Sequence, residues 1–168
     1  MPETGKMFAE NGYEIRVLNT INFKKSLHYN PLAYINSEKD ILKLVNVLIE
    51  NTKGEGDKSG EDFWVKAERL WYSAAIAFLY YEADITDRNI PMMMQMLELS
   101  ETKEEDEDFV NAIDILFEEL EQEKPQCFAV KQYRKFKLAA GVVSCKRLIY
   151  QKLVNKTFTA YFYIWREV

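Results

Sequence analysis

Histidine is almost missing from this chain of 168 residues, which contains His28 and no other. A catalytic triad needs a histidine base between a nucleophile and a carboxylate, and a zinc site needs several nitrogen or sulfur ligands. No such set is recognisable around His28, so we expect it to be a structural residue. Cysteine is scarce too, because Cys127 and Cys145 are the only two. Their apolar, helical surroundings indicate a reducing cytoplasm rather than a disulfide framework.

An excess of positive charge and long apolar runs are also missing. The formal net charge is −5, which argues against direct binding of duplex DNA, since that needs many lysines and arginines facing phosphates. No apolar run reaches the roughly 18–20 residues that a membrane-spanning helix needs. The N-terminus likewise lacks the apolar segment of a signal peptide. We therefore expect a soluble globular chain without a membrane segment.

One stretch, "GEGDKSGEDFW" at residues 54–64, comes close to a phosphate-binding loop. Such a loop reads G-x-x-x-x-G-K-[ST], and the glycine before the lysine lets backbone N–H groups close around the phosphate. Asp57 occupies that position before Lys58, and a helix rather than a strand is predicted upstream. We predict that Lys58 and Ser59 bind no nucleotide. Nor do we predict any catalytic, cofactor-binding or metal-binding residue elsewhere, because no carboxylate pair or cation-binding spacing stands out.

Helical periodicity is what the chain has in abundance. Helices are predicted over six segments: 3–12, 37–52, 61–83, 89–100, 104–123 and 127–140. Ser37 followed by Asp40 is typical of a helix N-terminus. The segment 61–83 is apolar on all sides, so we expect it to be the buried centre of the fold, with Trp64 and Trp71 in the core. The fold class predicted is mainly α, a multi-helix bundle.

A small β element is predicted beside the bundle. The stretch "YEIRVLN" alternates apolar and polar side chains and predicts a strand over 14–19. A lone strand leaves two unpaired edges, and residues 157–165, "TFTAYFYIW", are rich in residue types that favour strands. They are the candidate partner strand, within the chain or across a dimer. A further helix over 142–155 is predicted to bring this segment back to the first strand, and the alternative continues that helix through Trp165.

Charge is divided between two segments. Residues 98–123 hold twelve acids and one base, and residues 131–156 hold eight bases and no acid. Either these are two faces of one domain that attract each other, or one of them is a docking surface. Five consecutive acids cannot all be buried without partners. We therefore predict that this run is exposed and is the best candidate for contact with a basic protein partner: Glu104, Glu105, Asp106, Glu107 and Asp108.

Four segments, taken in order, resemble a known family: "TGKMFAENGYEIRVLNTINFKKSLHYNPLAYINSEKDILKLVNVLIENT", "GEDFWVKAERL", "DEDFVNAIDILFEEL" and "FAVKQYRKFKLAAG". The resemblance is to conjugative-transfer coupling proteins of the TraG/TraD type, the motor ATPases of type IV secretion. It runs from Glu3 to Gly141. Its most specific elements are Tyr29-Asn30-Pro31 and Phe63-Trp64-x-x-Ala67.

The resemblance implies an architecture and a role. In that family a helical all-alpha domain is inserted between the Walker A and Walker B motifs of a hexameric, membrane-anchored motor. The implied domains are a motor-domain strand and connecting loop (1–36), the all-alpha domain (37–141) and a divergent tail (142–168), with both Walker motifs outside the chain. The implied function is recognition, in the cytoplasm, of a relaxase, an accessory protein or a secreted effector, without catalysis by this chain alone.

Two other interpretations stay open at the level of sequence. The chain could be a structural fragment of a truncated coupling ATPase, or an independent regulatory helical protein. A Walker A motif encoded just upstream would favour the fragment. A free-standing reading frame beside relaxase genes would favour the recognition module.

Overall fold

A computed structural model of the chain describes residues 3–15, 17, 19, 22, 24, 27, 29–52, 61–100 and 111–142. Within these ranges the prediction of a mainly helical fold is confirmed. The elements are six α-helices and one short 3-10 helix: α1 (Glu3–Glu10), the 3-10 helix (Pro31–Tyr34), α2 (Glu38–Thr52), α3 (Glu61–Tyr81), α4 (Ile90–Leu99), α5 (Ala112–Glu123) and α6 (Phe128–Val142).

The predicted strand over 14–19 is wrong where the structure describes it. Glu14, Ile15, Val17 and Asn19 belong to no strand, and the other described ranges contain none either. The carbonyl of Val17 accepts a backbone hydrogen bond from Leu27 at 2.9 Å. Alternation of side chains is a local property, whereas a strand needs a ladder of such bonds with a neighbour. The proposed partner segment, 157–165, lies outside the described residues.

The described residues divide into two compact units, one ending at Tyr29 and one beginning at Asn30. In the first unit α1 ends as the sequence predicts, because Gly12 follows it with a φ of +80°. Glycine adopts this left-handed conformation without strain from a Cβ atom. The backbone N–H of Tyr13 then bonds the carbonyl of Phe8 at 3.1 Å. The two rings meet edge to face with centroids 5.7 Å apart.

Helix α3 is the centre of the second unit, as its apolar pattern predicts. It packs against α2, α4 and α6, most extensively against α6. Seven consecutive side chains, 71–77, are buried, so no face of the helix is turned to solvent there. Trp71 is 1% exposed, which confirms its predicted place in the core. The side chain of Trp64 lies outside the described part of the structure, so its burial stays a prediction.

The surrounding helices each turn one apolar stripe toward the core, and the helical spacing of apolar residues predicts the stripes of α2 and α5. In α4 two of the four methionines, Met93 and Met96, are buried in the core, where a flexible side chain can fit irregular gaps. The buried side chains that line these stripes are Ile41, Val45, Leu48 and Ile49 in α2, Met93, Met96 and Leu97 in α4, Ile113, Phe117 and Leu120 in α5, and Ala129, Val130, Tyr133 and Phe136 in α6.

Side chains before α2 fix the start of that helix. The hydroxyl of Ser37 donates to the carboxylate of Asp40 at 2.8 Å, and the backbone N–H of Asn36 donates to the same oxygen at 3.3 Å. These bonds, with a contribution from Lys43, hold the pKa of Asp40 below its usual value, and the Ser37 bond is the largest cause. A carboxylate near a helix N-terminus also opposes the helix dipole favourably.

Helix α5 begins later than the sequence predicts. The expected start was residue 104, but α5 begins at Ala112 because Asn111 caps it. The side-chain oxygen of Asn111 accepts the backbone N–H of Asp114 at 2.8 Å, and its own backbone is extended with a φ of −81° and a ψ of 165°. The cap gives a hydrogen-bond partner to a backbone N–H in the first turn of α5, which has no partner within the helix. The predicted end at residue 123 is confirmed, because α5 ends at Glu123, two residues before Pro125.

Candidate partner-binding surface

The predicted acidic site, Glu104 to Asp108, lies outside the described residues, so its exposure stays a prediction. The structure does describe both sides of the connection that carries it, from the end of α4 at Leu99 to the start of α5 at Ala112. The side-chain amide of Asn111 donates to the carbonyl of Ser100 at 3.4 Å, and both residues are buried. The two described ends of this connection, Ser100 and Asn111, are therefore joined to each other in the core.

The acid-rich and base-rich segments meet where α5 packs on α6. Asp114, 4% exposed, accepts a hydrogen bond from the Tyr133 hydroxyl at 2.8 Å and pairs with the ammonium of Lys137. Nearer the turn between the helices, Arg134 pairs with Glu121 at the surface and lowers the pKa of that carboxyl. For these residues, the interpretation that the two charged segments attract each other is supported.

Aromatic rings join the same two helices to the core. The ring of Phe117 lies parallel to that of Tyr133, with centroids 4.0 Å apart. Phe78 of α3 contacts Phe117 at 5.7 Å between centroids. Sequence analysis missed the cluster of Asp114, Tyr133 and Lys137. The available signal was a carboxylate three residues before Phe117, which places it on the buried face of α5.

A group of exposed apolar side chains lies at the end of the bundle where α2 begins and α3 ends. Tyr34, Tyr81 and Ile85 are 61%, 47% and 81% exposed. Partial burial raises the pKa of Tyr81, and the nearby carboxylate of Glu38 raises it further. Helix α2 packs against α3, and a hydrogen bond of 2.6 Å joins Asn30, just before the 3-10 helix, to Arg88 in the loop after α3. The start of α2 and the end of α3 therefore lie at the same end of the bundle. We call the surface formed by Tyr34, Glu38, Tyr81, Asp84 and Ile85 the tyrosine end.

Hydrogen bonds fix the backbone behind the tyrosine end. Asn30 uses its amide nitrogen to bond the carbonyl of Arg88 at 2.6 Å and its amide oxygen to accept the N–H of Leu32 at 3.1 Å. One side chain thus caps the 3-10 helix and ties it to the loop between α3 and α4. Arg88 folds back, donating to the carbonyl of Ala83 at 3.1 Å, with its guanidinium 5.6 Å from the centre of the Tyr80 ring. The Asn30-Pro31 element that the sequence singled out therefore organises this surface.

An ion pair ties a third element to the same end. The ammonium of Lys124, in the turn between α5 and α6, donates to the Glu82 carboxylate at 2.6 Å. The Glu82 side chain is 18% exposed, so this pair is better shielded from solvent than a fully exposed one. The contact raises the pKa of Lys124, mainly through this hydrogen bond. Loops from three parts of the chain are thus held together around the tyrosine end.

The other sequence-based expectations about chemistry meet the structure only in part. His28, Lys58 and Ser59 all fall in ranges that the structure leaves undescribed, so those interpretations stay predictions. Across the described ranges, no three or more histidine, cysteine, aspartate or glutamate side chains come together as a metal site would require. In the same ranges, no helix combines the length and the apolar character needed to cross a membrane. Cys127 precedes α6, and its sulfur accepts the backbone N–H of Val130 at 3.5 Å.

Comparison with known families identifies the chain. A family model described as Type IV secretory system Conjugative DNA transfer matches residues 1–160. The match continues beyond Gly141, where the resemblance in the sequence was expected to end. Comparisons with curated proteins and with solved structures found no significant match. Because the family model covers nearly all of the 168 residues, the chain belongs to the family of type IV secretory system conjugative DNA transfer proteins.

Proposed function

We propose that this chain is the helical domain with which a conjugative coupling protein recognises its protein substrate, and that it is non-catalytic by itself. The observation that carries the proposal is family membership in conjugative DNA transfer, joined to a helical unit with exposed tyrosines on a hydrogen-bonded frame. The resemblance names the expected partners: a relaxase, an accessory protein or a secreted effector. The proposed location is the cytoplasmic side of a membrane-anchored hexamer.

The surface chemistry supports a protein partner over duplex DNA. Tyrosine is enriched in protein–protein interfaces, because its ring provides a large contact area and its hydroxyl can still form a hydrogen bond. A net charge of −5 opposes the phosphate contacts that supply most of the affinity for duplex DNA. Some of the bases that could contact phosphates already pair with acids of the chain, since Arg134 and Lys137 form ion pairs with α5.

A direct binding experiment tests the proposed function. The purified chain is immobilised, and the relaxase, accessory and effector proteins of the same conjugative element are passed over it by biolayer interferometry. A 30-base-pair DNA duplex serves as the comparison ligand. We expect saturable binding of at least one of the proteins and no saturable binding of the duplex at physiological salt. The absence of binding by all of these proteins would overturn the proposal, and saturable binding of the duplex alone would indicate a DNA-binding role instead.

Reversing the charge of the acidic run should slow association with a basic partner. We expect replacement of Glu104, Glu105, Asp106, Glu107 and Asp108 by lysine to lower the association rate about tenfold at low salt and to weaken its salt dependence, because opposite charges steer the encounter. Reversal of two exposed acids of α5, Glu118 and Glu119, is the control for a charge change elsewhere on the surface. Unchanged association rates at low salt would make the acidic run ordinary solvated surface.

The chain should neither bind nor hydrolyse ATP. Asp57 stands where a phosphate loop needs glycine, and its charge together with that of Glu55 repels phosphate. Isothermal titration calorimetry with magnesium and ATP should show no saturable heat, and Lys58→Ala should behave like the natural chain. Saturable binding that Lys58→Ala abolishes would show that the loop is functional and that this prediction is wrong.

A further inference from the structure

We propose that the tyrosine end is the docking surface for a protein segment that presents basic and apolar side chains together. This inference rests on the proposed function and names the surface that serves it. Two properties of the described residues support it. Large apolar side chains are exposed on a fixed frame, and the charges left available around them are mostly negative.

The apolar part of the surface comes from three separate elements. Tyr34 belongs to the 3-10 helix, Tyr81 to the end of α3, and Ile85 to the loop that follows. The loop is closed by backbone hydrogen bonds from Asp87 to the Asp84 carbonyl at 2.9 Å and from Asn89 to the Asp87 carbonyl at 2.8 Å. Binding to a surface that is already ordered costs less conformational entropy. Exposed tyrosines in such a setting are frequent sources of binding energy.

The charges at this end select the partner. The two bases of the frame are engaged by other groups of the chain, since Lys124 pairs with Glu82, and Arg88 bonds a carbonyl and covers the Tyr80 ring. Glu38 and Asp84 are exposed and Asp87 is half-buried. Of the exposed bases nearby, Lys43 pairs with Asp40, which leaves Lys39 to oppose these acids. Tyrosine faces also attract lysine and arginine side chains. A segment that alternates basic and apolar residues satisfies both the acids and the rings.

A second copy of this chain is the competing occupant. One face of α6 carries the exposed residues Lys131, Lys135 and Leu138, which combine basic charge with an apolar side chain. Docking of that face on the tyrosine end would link copies head to tail. Helix α6 is already joined to α5 by two ion pairs, and the apolar part of its face is one leucine. We therefore assign the surface to a different protein and make self-association an outcome of the test.

The test uses two variants of the tyrosine end and two matched controls. Tyr81→Ser with Ile85→Ser removes apolar surface, and Asp84→Lys reverses one charge. Leu138→Ser and Glu118→Lys make the same kinds of change on α6 and α5. Thermal unfolding followed by circular dichroism verifies that all four remain folded. Binding to the relaxase, accessory and effector proteins is then measured by biolayer interferometry, and self-association by sedimentation velocity.

If the tyrosine end is the docking surface, the apolar double variant should bind the partner at least tenfold more weakly than the natural chain. Asp84→Lys should associate several-fold more slowly at low salt, and both controls should stay within twofold of the natural chain. If the natural chain binds a partner and both tyrosine-end variants bind it equally well, the docking site is overturned and the proposed function is left intact. Self-association abolished by both the double variant and Leu138→Ser would overturn it in favour of a second copy.

If none of the proteins binds the natural chain, the proposed function fails and a second probe decides the docking site. The probe is a synthetic 18-residue helical peptide of lysine and leucine, titrated into the isotope-labelled chain and followed by amide chemical shifts. Shifts centred on Tyr34, Tyr81 and Ile85, and lost in the double variant, would support the surface. Shifts centred elsewhere, or absent at millimolar peptide, would overturn it.

Discussion

Replacing Trp71 by alanine should lower the free energy of unfolding by about 3–5 kcal/mol, the range for large aromatic side chains removed from a packed core. Trp71 is 1% exposed and lies in the stretch of α3 where every side chain is buried. Its ring meets that of Tyr72 edge to face, with centroids 5.6 Å apart. Because a domain of this size is stable by roughly 5–15 kcal/mol, the variant should lose a large part of its stability.

Urea unfolding followed by circular dichroism measures this loss. Tyr81→Ala is the matched control, because it removes an aromatic side chain from the same helix at a position that is 47% exposed. We expect the control to cost less than about 1 kcal/mol, as surface substitutions usually do. A cost below about 1 kcal/mol for Trp71→Ala would contradict a core built around α3. Trp64→Ala is expected, from the sequence alone, to cost a similar amount to Trp71→Ala.

The parts of the fold that could be predicted are those set by neighbours in sequence. The burial of α3 follows from a helix that is apolar on all sides, and the stripes of α2 and α5 follow from their spacing. Helix ends were predictable where a single residue stops the helix through its own backbone conformation, as Gly12 does after α1 and Pro125 does after α5. These are local effects of backbone conformation and hydrogen bonding, so the sequence pattern contains them.

The parts that could not be predicted depend on residues far apart in the chain. Asn30 meets Arg88 across 58 positions, and Glu82 meets Lys124 across 42. Nothing in a sequence pattern shows that these elements converge to form the tyrosine end. The strand over 14–19 was wrong for a related reason, because alternation describes a strand's faces but not the neighbour that must bond its backbone. The charged segments suggested mutual attraction without showing which pairs form.

Removing the Asp114 carboxylate should lower the free energy of unfolding by about 2–3 kcal/mol, because hydrogen bonds to a buried charge are worth more than those at the surface. Asp114→Ala leaves the Tyr133 hydroxyl and the Lys137 ammonium without the acceptor they share. The start of α5 should be unaffected, since Asn111 caps it through the backbone N–H of residue 114. Glu121→Ala, which breaks the exposed pair with Arg134, should cost less than about 1 kcal/mol.

Double-mutant cycles separate the charge interaction from simple loss of packing. The free energy of unfolding is measured for Asp114→Ala, Lys137→Ala and both together, and the same is done for Glu121 and Arg134. We expect a coupling above about 1 kcal/mol for the Asp114 pair, because Asp114 is 4% exposed, and below about 0.5 kcal/mol for the exposed pair, which water and salt screen. Equal couplings would mean that burial adds nothing to the attraction. A larger coupling for Asp114 and Lys137 would mean that this pair, with its buried carboxylate, stabilises the contact between α5 and α6 more than the exposed pair of Glu121 and Arg134 does.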